Sequence, residues 1–174
     1  MRLCFRHTLA GLAAAAFAVS AHAQTTAPEH DLKAAFIYNF IQFTQWPAAA
    51  LTGGTLNLCV SPGTILHMAL QPIAGKAVHG QIIALIPLQV DQLKSCHVVV
   101  AEQLDRPRAQ QLRKNMESLP ILSITDDPEL IREGFIIGMG VDNGKVTFSI
   151  DNSRATDARL ALSSRLLRLA RSVR

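Results

Sequence analysis

Short apolar runs recur along the chain from residue 55 onward and are separated by polar segments with helical periodicity. The runs are TLNLCV at 55–60, QIIALIPL at 81–88, CHVVVA at 96–101 and PILSIT at 120–125. Consecutive β-branched residues in CHVVVA are typical of a strand that is buried on both faces. Four apolar strands interleaved with amphipathic segments predict a parallel sheet covered by helices on both sides.

The segments between and after these strands carry start and stop signals for helices and turns. We predict helices at 64–70, within 106–119 and after Asp126 or Asp127, the last ending at Gly134. Asn143-Gly144 lies between two further apolar segments and is a strong β-hairpin signal. The predicted fold is a single-domain α/β sandwich with a mostly parallel central sheet, Rossmann-like or receiver-like, followed by a C-terminal β-hairpin and a terminal helix.

The first helix is predicted to run from Asp31 to about Gln45 and to stop before Pro47. Five of the seven aromatic side chains found beyond residue 23 lie within residues 36–46 of this helix and its end. On a helical wheel the three phenylalanines face the core, whereas Tyr38 and Trp46 lie off that stripe, so we expect these two to contact a partner. Asn39 falls inside the apolar sector and is expected to anchor a neighbouring backbone through its buried amide.

The terminal helix is predicted to span Asn152 to about Val173. Its main apolar stripe consists of Leu162, Leu166, Leu169 and Val173. Two further leucines lie on the opposite side and are flanked by two arginines, and these four candidate partner-binding residues are Leu160, Leu167, Arg168 and Arg171. A second apolar stripe beside arginines indicates contact with a second copy, a partner or an anionic surface, unless a loop of the same chain covers it.

The beginning of the chain has the composition of a secretory signal peptide at residues 1–23. It contains two arginines, an apolar run and the cleavage pattern Ala21-His22-Ala23. We expect residues 24–30 to be a flexible mature N-terminus and residues 31–174 to be one exported domain. Of the 17 Lys and Arg residues two lie in the signal peptide, which leaves 15 against 13 acidic residues. This balance does not favour nucleic acid as a partner.

Two cysteines remain after export, Cys59 and Cys96, each beside an apolar run. An even number of cysteines in an oxidising compartment predicts one disulfide, and two buried free thiols are the alternative.

The residues indicate no catalytic apparatus, cofactor or metal. Dinucleotide, P-loop and HExxH motifs are absent, and the histidines, His79 and His97 among them, lack metal-ligand spacing. The sequence TDDP at 125–128 is a good helix N-cap. An alternative function is small-ligand binding in a pocket at the strand ends, formed near Ser61, Pro62, Gly63 and Asp126.

The series of motifs resembles the YfiR/HmsC family of periplasmic proteins. The most specific elements are LKAAFIYNFIQFTQWP at 32–47 and LSSRLLRLARSV at 162–173. Between them the matching segments are LNLCV at 56–60, GKAVHG at 75–80, CHVVVA at 96–101, PILSITD at 120–126 and GFIIGMGVDNGKVTFSIDN at 134–152.

The resemblance implies a repressor rather than an enzyme. Proteins of this family bind the periplasmic part of an inner-membrane diguanylate cyclase, or sit beside a related sensor, and hold it inactive, which lowers cyclic di-GMP and restrains biofilm formation. The resemblance also implies a single α/β domain that forms a homodimer, with a bridge at the positions of Cys59 and Cys96. Some members have a second cysteine pair near the terminal hairpin, which this chain lacks.

Overall fold

The computed structural model describes residues 28–174 as one α/β domain. The predicted signal peptide and residues 24–27 lie outside the described residues. The helices are α1 (Glu29–Gln42), α2 (Ile65–Ala69), α3 (Arg106–Met116), α4 (Pro128–Glu133), α5 (Asn152–Asp157) and α6 (Ser164–Leu169). The strands are β1 (Thr44–Gln45), β2 (Thr55–Val60), β3 (Ala77–Val78), β4 (Gln81–Pro87), β5 (Val98–Ala101), β6 (Leu122–Thr125), β7 (Ile137–Asp142), β8 (Lys145–Ile150), β9 (Ala161–Leu162) and β10 (Ser172–Val173).

The central sheet has eight strands in the order β10-β8-β7-β6-β5-β2-β4-β3. Strands β4, β2, β5, β6 and β7 are parallel to one another, β3 is antiparallel to β4, and β7 and β8 form the antiparallel hairpin. The predicted α/β fold with a mostly parallel sheet is therefore confirmed. Strand β4 lies on one side of β2, and the later strands β5, β6 and β7 lie on the other side. This order is receiver-like, and its switch point lies between β2 and β5.

The sheet is covered on both faces, and consecutive strand residues alternate between two cores. Leu58 and Val60 of β2 belong to the core beneath α1, α2 and the C-terminal segment. Cys59, which lies between them, belongs to the second core beneath α3 and α4. This alternation explains why the strand runs are continuously apolar rather than half polar.

Most helices of residues 28–174 are capped by a side chain at their first turn. The predicted cap at Asp127 is confirmed, whereas α1 starts before Asp31 and has no side-chain cap. Asp127 accepts a hydrogen bond from the Glu129 N–H at 2.8 Å, and Gly134 ends α4 with φ 101° in the left-handed region. The other side-chain caps are Thr64, Asp105, Asp151 and Ser163.

Helix α1 differs from its prediction at both ends. It begins at Glu29, so the last two residues of the expected flexible N-terminus are helical. It ends at Gln42, and Thr44–Gln45 form the short strand β1 instead of a last helical turn. The wheel positions assigned beyond residue 42 therefore do not apply, which changes the place of Trp46.

The prediction of one helix from Asn152 to Val173 is wrong. Helix α5 ends in a Schellman motif, in which Arg159 has φ 59° and the Leu160 N–H donates to the Ala155 carbonyl at 2.8 Å. The chain then pairs with distant strands, since β9 is antiparallel to β1 and β10 is parallel to β8. Backbone hydrogen bonds to residues far away in sequence replace those of a continuous helix.

Candidate functional site

The carboxyl ends of β2, β5 and β6 meet at one edge of the sheet and carry polar residues. Ser61 follows β2, Glu102 follows β5, and Asp126 follows β6. In open α/β sheets, ligands bind outside this edge at the point where the strand order reverses. This edge is therefore the candidate position for a binding site.

Buried hydroxyl groups hold the strand ends of this edge in place. The Glu102 N–H donates to Ser61 Oγ at 3.1 Å, which joins the ends of β2 and β5. Thr64 Oγ1 accepts from the His67 N–H at 3.1 Å and lies 3.3 Å from the Ser61 carbonyl oxygen. Thr125 Oγ1 donates to the Ala101 carbonyl at 2.7 Å, joining β6 to β5. The polar edge is a rigid structure rather than a loose loop.

Lys33 of α1 is buried, only 5 % exposed, and reaches the same edge. Its ammonium lies 2.7 Å from Asp126 Oδ2 and 2.6 Å from Glu29 Oε1. Burial lowers the pKa of Lys33, but the two carboxylates outweigh that effect and raise it overall. The lysine is therefore charged and ties α1 to the end of β6.

Glu102 is the second buried ionisable group at this edge, and 7 % of its surface is exposed. Its Oε2 atom is buried, and within residues 28–174 no donor forms a hydrogen bond to it. Burial raises the pKa of the Glu102 carboxyl, the Thr64 hydroxyl partly opposes this, and the negative charge of Asp126 adds to the rise. One carboxyl oxygen of Glu102 is thus buried without a donor from residues 28–174, which is uncommon in folded proteins.

A crevice of about 820 Å³ opens beside Glu102 at the carboxyl edge. Ser61 and Pro62 line it, as the ligand-binding alternative predicts, whereas Gly63 and Asp126 do not. The other lining residues are Thr64, Leu88, Gln89, Val90, Asp91, Gln92, Glu102, Gln103, Leu104, Pro107, Arg108 and Gln111. Glu102 is not among the residues predicted from the sequence, although its position directly after a buried strand is a signal for a functional acid.

The aromatic run of α1 is divided differently from its prediction. Trp46 is buried, and its Nε1–H donates to the His97 carbonyl at 3.2 Å, so it belongs to the core and is not available to a partner. Tyr38 is half-buried, with the Lys76 ammonium 4.9 Å from its ring centroid. Asn39 is exposed, so the prediction that it anchors a neighbouring backbone from a buried position is wrong.

The four candidates of the C-terminal segment separate into buried and exposed pairs. Leu160 is 5 % exposed and Leu167 packs against the same core, because the segment is folded back on the sheet rather than helical throughout. Arg168 and Arg171 are exposed, and Arg171 Nη1 lies 3.1 Å from Asp142 Oδ2. Leu160 is therefore a core residue, and the prediction that it contacts a partner is wrong.

Two other apolar side chains of this segment are exposed instead. Leu169 is 64 % exposed and Val173 is 45 % exposed. On the predicted helical wheel both belong to the core-facing stripe. The serine pair at 163–164 is a signal against one continuous helix, because Ser163 accepts a hydrogen bond from the Leu166 N–H and caps a new helix there.

The end of α1 and the C-terminal segment are neighbours, although about 120 residues separate them in sequence. Thr44 of β1 pairs with Leu162 of β9, and the Ser163 N–H donates to the Phe43 carbonyl at 2.9 Å. The Arg165 guanidinium lies 5.6 Å from the centroid of the Phe43 ring. The end of α1 and the first part of the C-terminal segment are thus in direct contact.

The two histidines considered as metal ligands have structural roles. His97 Nδ1 accepts from the Asn57 N–H at 2.9 Å, and its Nε2 lies 2.9 Å from the Ala50 carbonyl oxygen. His79 Nε2 lies 3.1 Å from the Ile41 carbonyl oxygen. Among residues 28–174, no cluster of three or more His, Cys, Asp and Glu side chains is arranged to hold a metal.

The predicted disulfide between Cys59 and Cys96 is confirmed. The two Cα atoms are 5.8 Å apart, and both side chains are buried in the core beneath α3 and α4. The bridge ties β2 to Cys96, two residues before the start of β5. Within the described part of the chain, no helix is both long and apolar enough to cross a membrane.

Comparisons with known proteins agree with this fold. The sequence profile described as YfiR/HmsC-like matches residues 30–171. The structure is similar to that of a conserved domain protein from Vibrio cholerae, with a TM-score of 0.56 and 12 % identity. The similarity covers 84 % of this chain and 60 % of that one, and at this identity it establishes the fold alone. A comparison with curated proteins finds no match.

Proposed function

This chain belongs to the YfiR/HmsC-like family of periplasmic regulators, and from that premise we propose that it binds the periplasmic part of an inner-membrane diguanylate cyclase and holds the enzyme inactive. The observation that carries the proposal is the extent of the match, which covers nearly all of the described domain. A related membrane sensor is the alternative partner. The absence of known catalytic motifs from the sequence is consistent with a binding role.

We place the partner contact on the C-terminal surface, which we define as Arg168, Leu169, Arg171 and Val173. Its two apolar side chains are exposed, Leu169 to 64 % and Val173 to 45 %, and each is next to an arginine in the sequence. Arginine is enriched at protein interfaces, and the fully buried centre of an interface is more apolar than the rest of the protein surface. Strand β10 is also the outermost strand of the sheet, so one of its edges is unpaired within residues 28–174 and can accept a strand from a partner.

Repression follows if the regulator binds the inactive conformation of the cyclase more tightly than the active one. A tenfold preference shifts the equilibrium by about 1.4 kcal/mol, and a signal that weakens binding returns the cyclase to its own equilibrium. The arginines make the contact sensitive to the charge of the partner, which favours a periplasmic segment with acidic residues.

The test compares two apolar side chains that are equally exposed. Leu169 is 64 % exposed at the end of α6, and Met68 is 63 % exposed near the end of α2. We expect Leu169→Asp to abolish co-purification with a membrane diguanylate cyclase and to raise cellular cyclic di-GMP. Met68→Asp should change neither, because it introduces the same charge outside the C-terminal surface.

Failure takes two distinguishable forms. Equal effects of the two substitutions would reject the C-terminal surface but not the repressor role. Unchanged cyclic di-GMP after deletion of the whole gene would reject the role itself. We also propose a homodimer, and sedimentation of the same variants tests whether it uses this surface. If a second copy binds there, the dimer should dissociate in Leu169→Asp but not in Met68→Asp.

A further inference from the structure

The crevice at the ends of β2 and β5 has a feature that a partner-binding role does not use, namely the buried carboxyl group of Glu102. We propose that this crevice binds a small organic molecule carrying a primary ammonium group, with Glu102 as its anionic anchor. The proposal goes beyond the regulatory role and does not rest on it.

Glu102 has unmet hydrogen-bonding capacity. Its Oε2 has no hydrogen-bond donor among residues 28–174, and Lys33, a nearby cation, directs its ammonium to Glu29 and Asp126. An ionised carboxylate with one buried oxygen unpaired lacks part of the hydrogen bonding that would offset its lost hydration. A primary ammonium supplies three donors and the opposite charge.

A ligand in the crevice can reach the Glu102 side chain. Glu102 lines the crevice, and the terminal torsion of a glutamate side chain is soft, so a rotation can present either oxygen to a bound ligand. The backbone of Glu102 does not need to move, because its N–H is held by Ser61 Oγ at 3.1 Å. The anchor is therefore positioned before a ligand arrives.

The walls of the crevice favour a ligand with an apolar part beside its charged group. Apolar side chains of Leu88, Val90 and Leu104 line the crevice beside the polar groups. A volume of about 820 Å³ lies within the usual range for small-molecule sites, about 300–1,000 Å³. A divalent cation would need about six oxygen ligands and no apolar wall, so an organic amine fits better than a metal ion.

The experiment measures binding of n-hexylammonium and of hexanoate to the mature protein by calorimetry and by amide chemical shifts. The two probes have the same carbon number and opposite charge. We expect saturable binding of n-hexylammonium, with shifts confined to the crevice, and no saturation with hexanoate. Equal binding of both probes, or no saturable binding of n-hexylammonium, would overturn the proposal.

Variants locate the anchor. Glu102→Gln should weaken n-hexylammonium binding by about tenfold or more, the loss expected for a charge-assisted hydrogen bond. Asp157→Asn is the control, because Asp157 is an exposed carboxylate that does not line this crevice, and it should change the affinity by less than about twofold. The exposed Gln111 lines the crevice, so Gln111→Trp should block binding without touching the core. Full affinity in Glu102→Gln or in Gln111→Trp refutes the assignment.

Discussion

Removal of the Cys59–Cys96 disulfide should destabilise the domain by about 4 kcal/mol. The two cysteines are 37 residues apart, and on the chain-entropy model the loss of a loop of that length releases about 13 cal/mol/K in the unfolded chain. A domain of this kind has a total stability of about 5–15 kcal/mol. The variant Cys59→Ala/Cys96→Ala should therefore remain folded at room temperature but lose a large part of its stability.

The assay is urea unfolding followed by circular dichroism on the oxidised wild type, the reduced wild type and the double variant. The reduced wild type keeps both sulfur atoms in the core beneath α3 and α4, so the difference between it and the double variant measures packing alone. The difference between the oxidised and reduced wild type measures the bridge. A loss below about 1 kcal/mol on reduction would refute the loop-closure reasoning.

Three further predictions concern single side chains. Leu160→Asp should cost at least about 3 kcal/mol because it buries an unpaired charge, whereas Leu169→Asp should stay within about 0.5 kcal/mol, and thermal melts of the two variants compare them. Lys33→Met should cost about 1–3 kcal/mol, since it leaves the partly buried Asp126 carboxylate without its partner, and urea midpoints measure this loss. Burial raises the pKa of Asp151, but hydrogen bonds from Ser153 Oγ and the Arg154 N–H and the charges of Arg174 and Arg154 outweigh it and hold that pKa below its ordinary value. Asp151→Asn should therefore be less stable than the wild type at pH 7, with a gap that closes as the pH falls through the lowered pKa, and equal destabilisation at pH 7 and pH 2 would contradict this.

Local signals made much of the fold predictable. The strands at 55–60, 81–87, 98–101 and 122–125 lie inside the predicted apolar runs. The Asn143-Gly144 turn joins β7 to β8, and Asp127 and Gly134 bound α4 as expected. Each of these features depends on residues within a few positions of one another, so a single sequence is enough to recognise it.

The candidate site was less predictable because exposure depends on distant residues. The position of Trp46 was read from a helical wheel, but α1 ends before it, Thr44 pairs with β9, and the Trp46 indole donates to the His97 carbonyl. Asn39 was assigned to an apolar sector, but its side chain is exposed to solvent. Glu102 looked like any acid after a strand until the crevice and its unpaired oxygen were visible.

The amino-acid sequence alone determined the α/β class, the parallel strands, the disulfide and the family, because apolar periodicity, helix caps and motif order are written in neighbouring residues. Only the tertiary structure decided the course of residues 152–174. Their leucines fit a helical wheel, but a helix there would have to forgo sheet hydrogen bonds such as that from the Arg171 N–H to the Phe148 carbonyl at 2.8 Å. The partners that replace the helix lie more than 20 residues away in sequence, and periodicity within the segment carries no information about them.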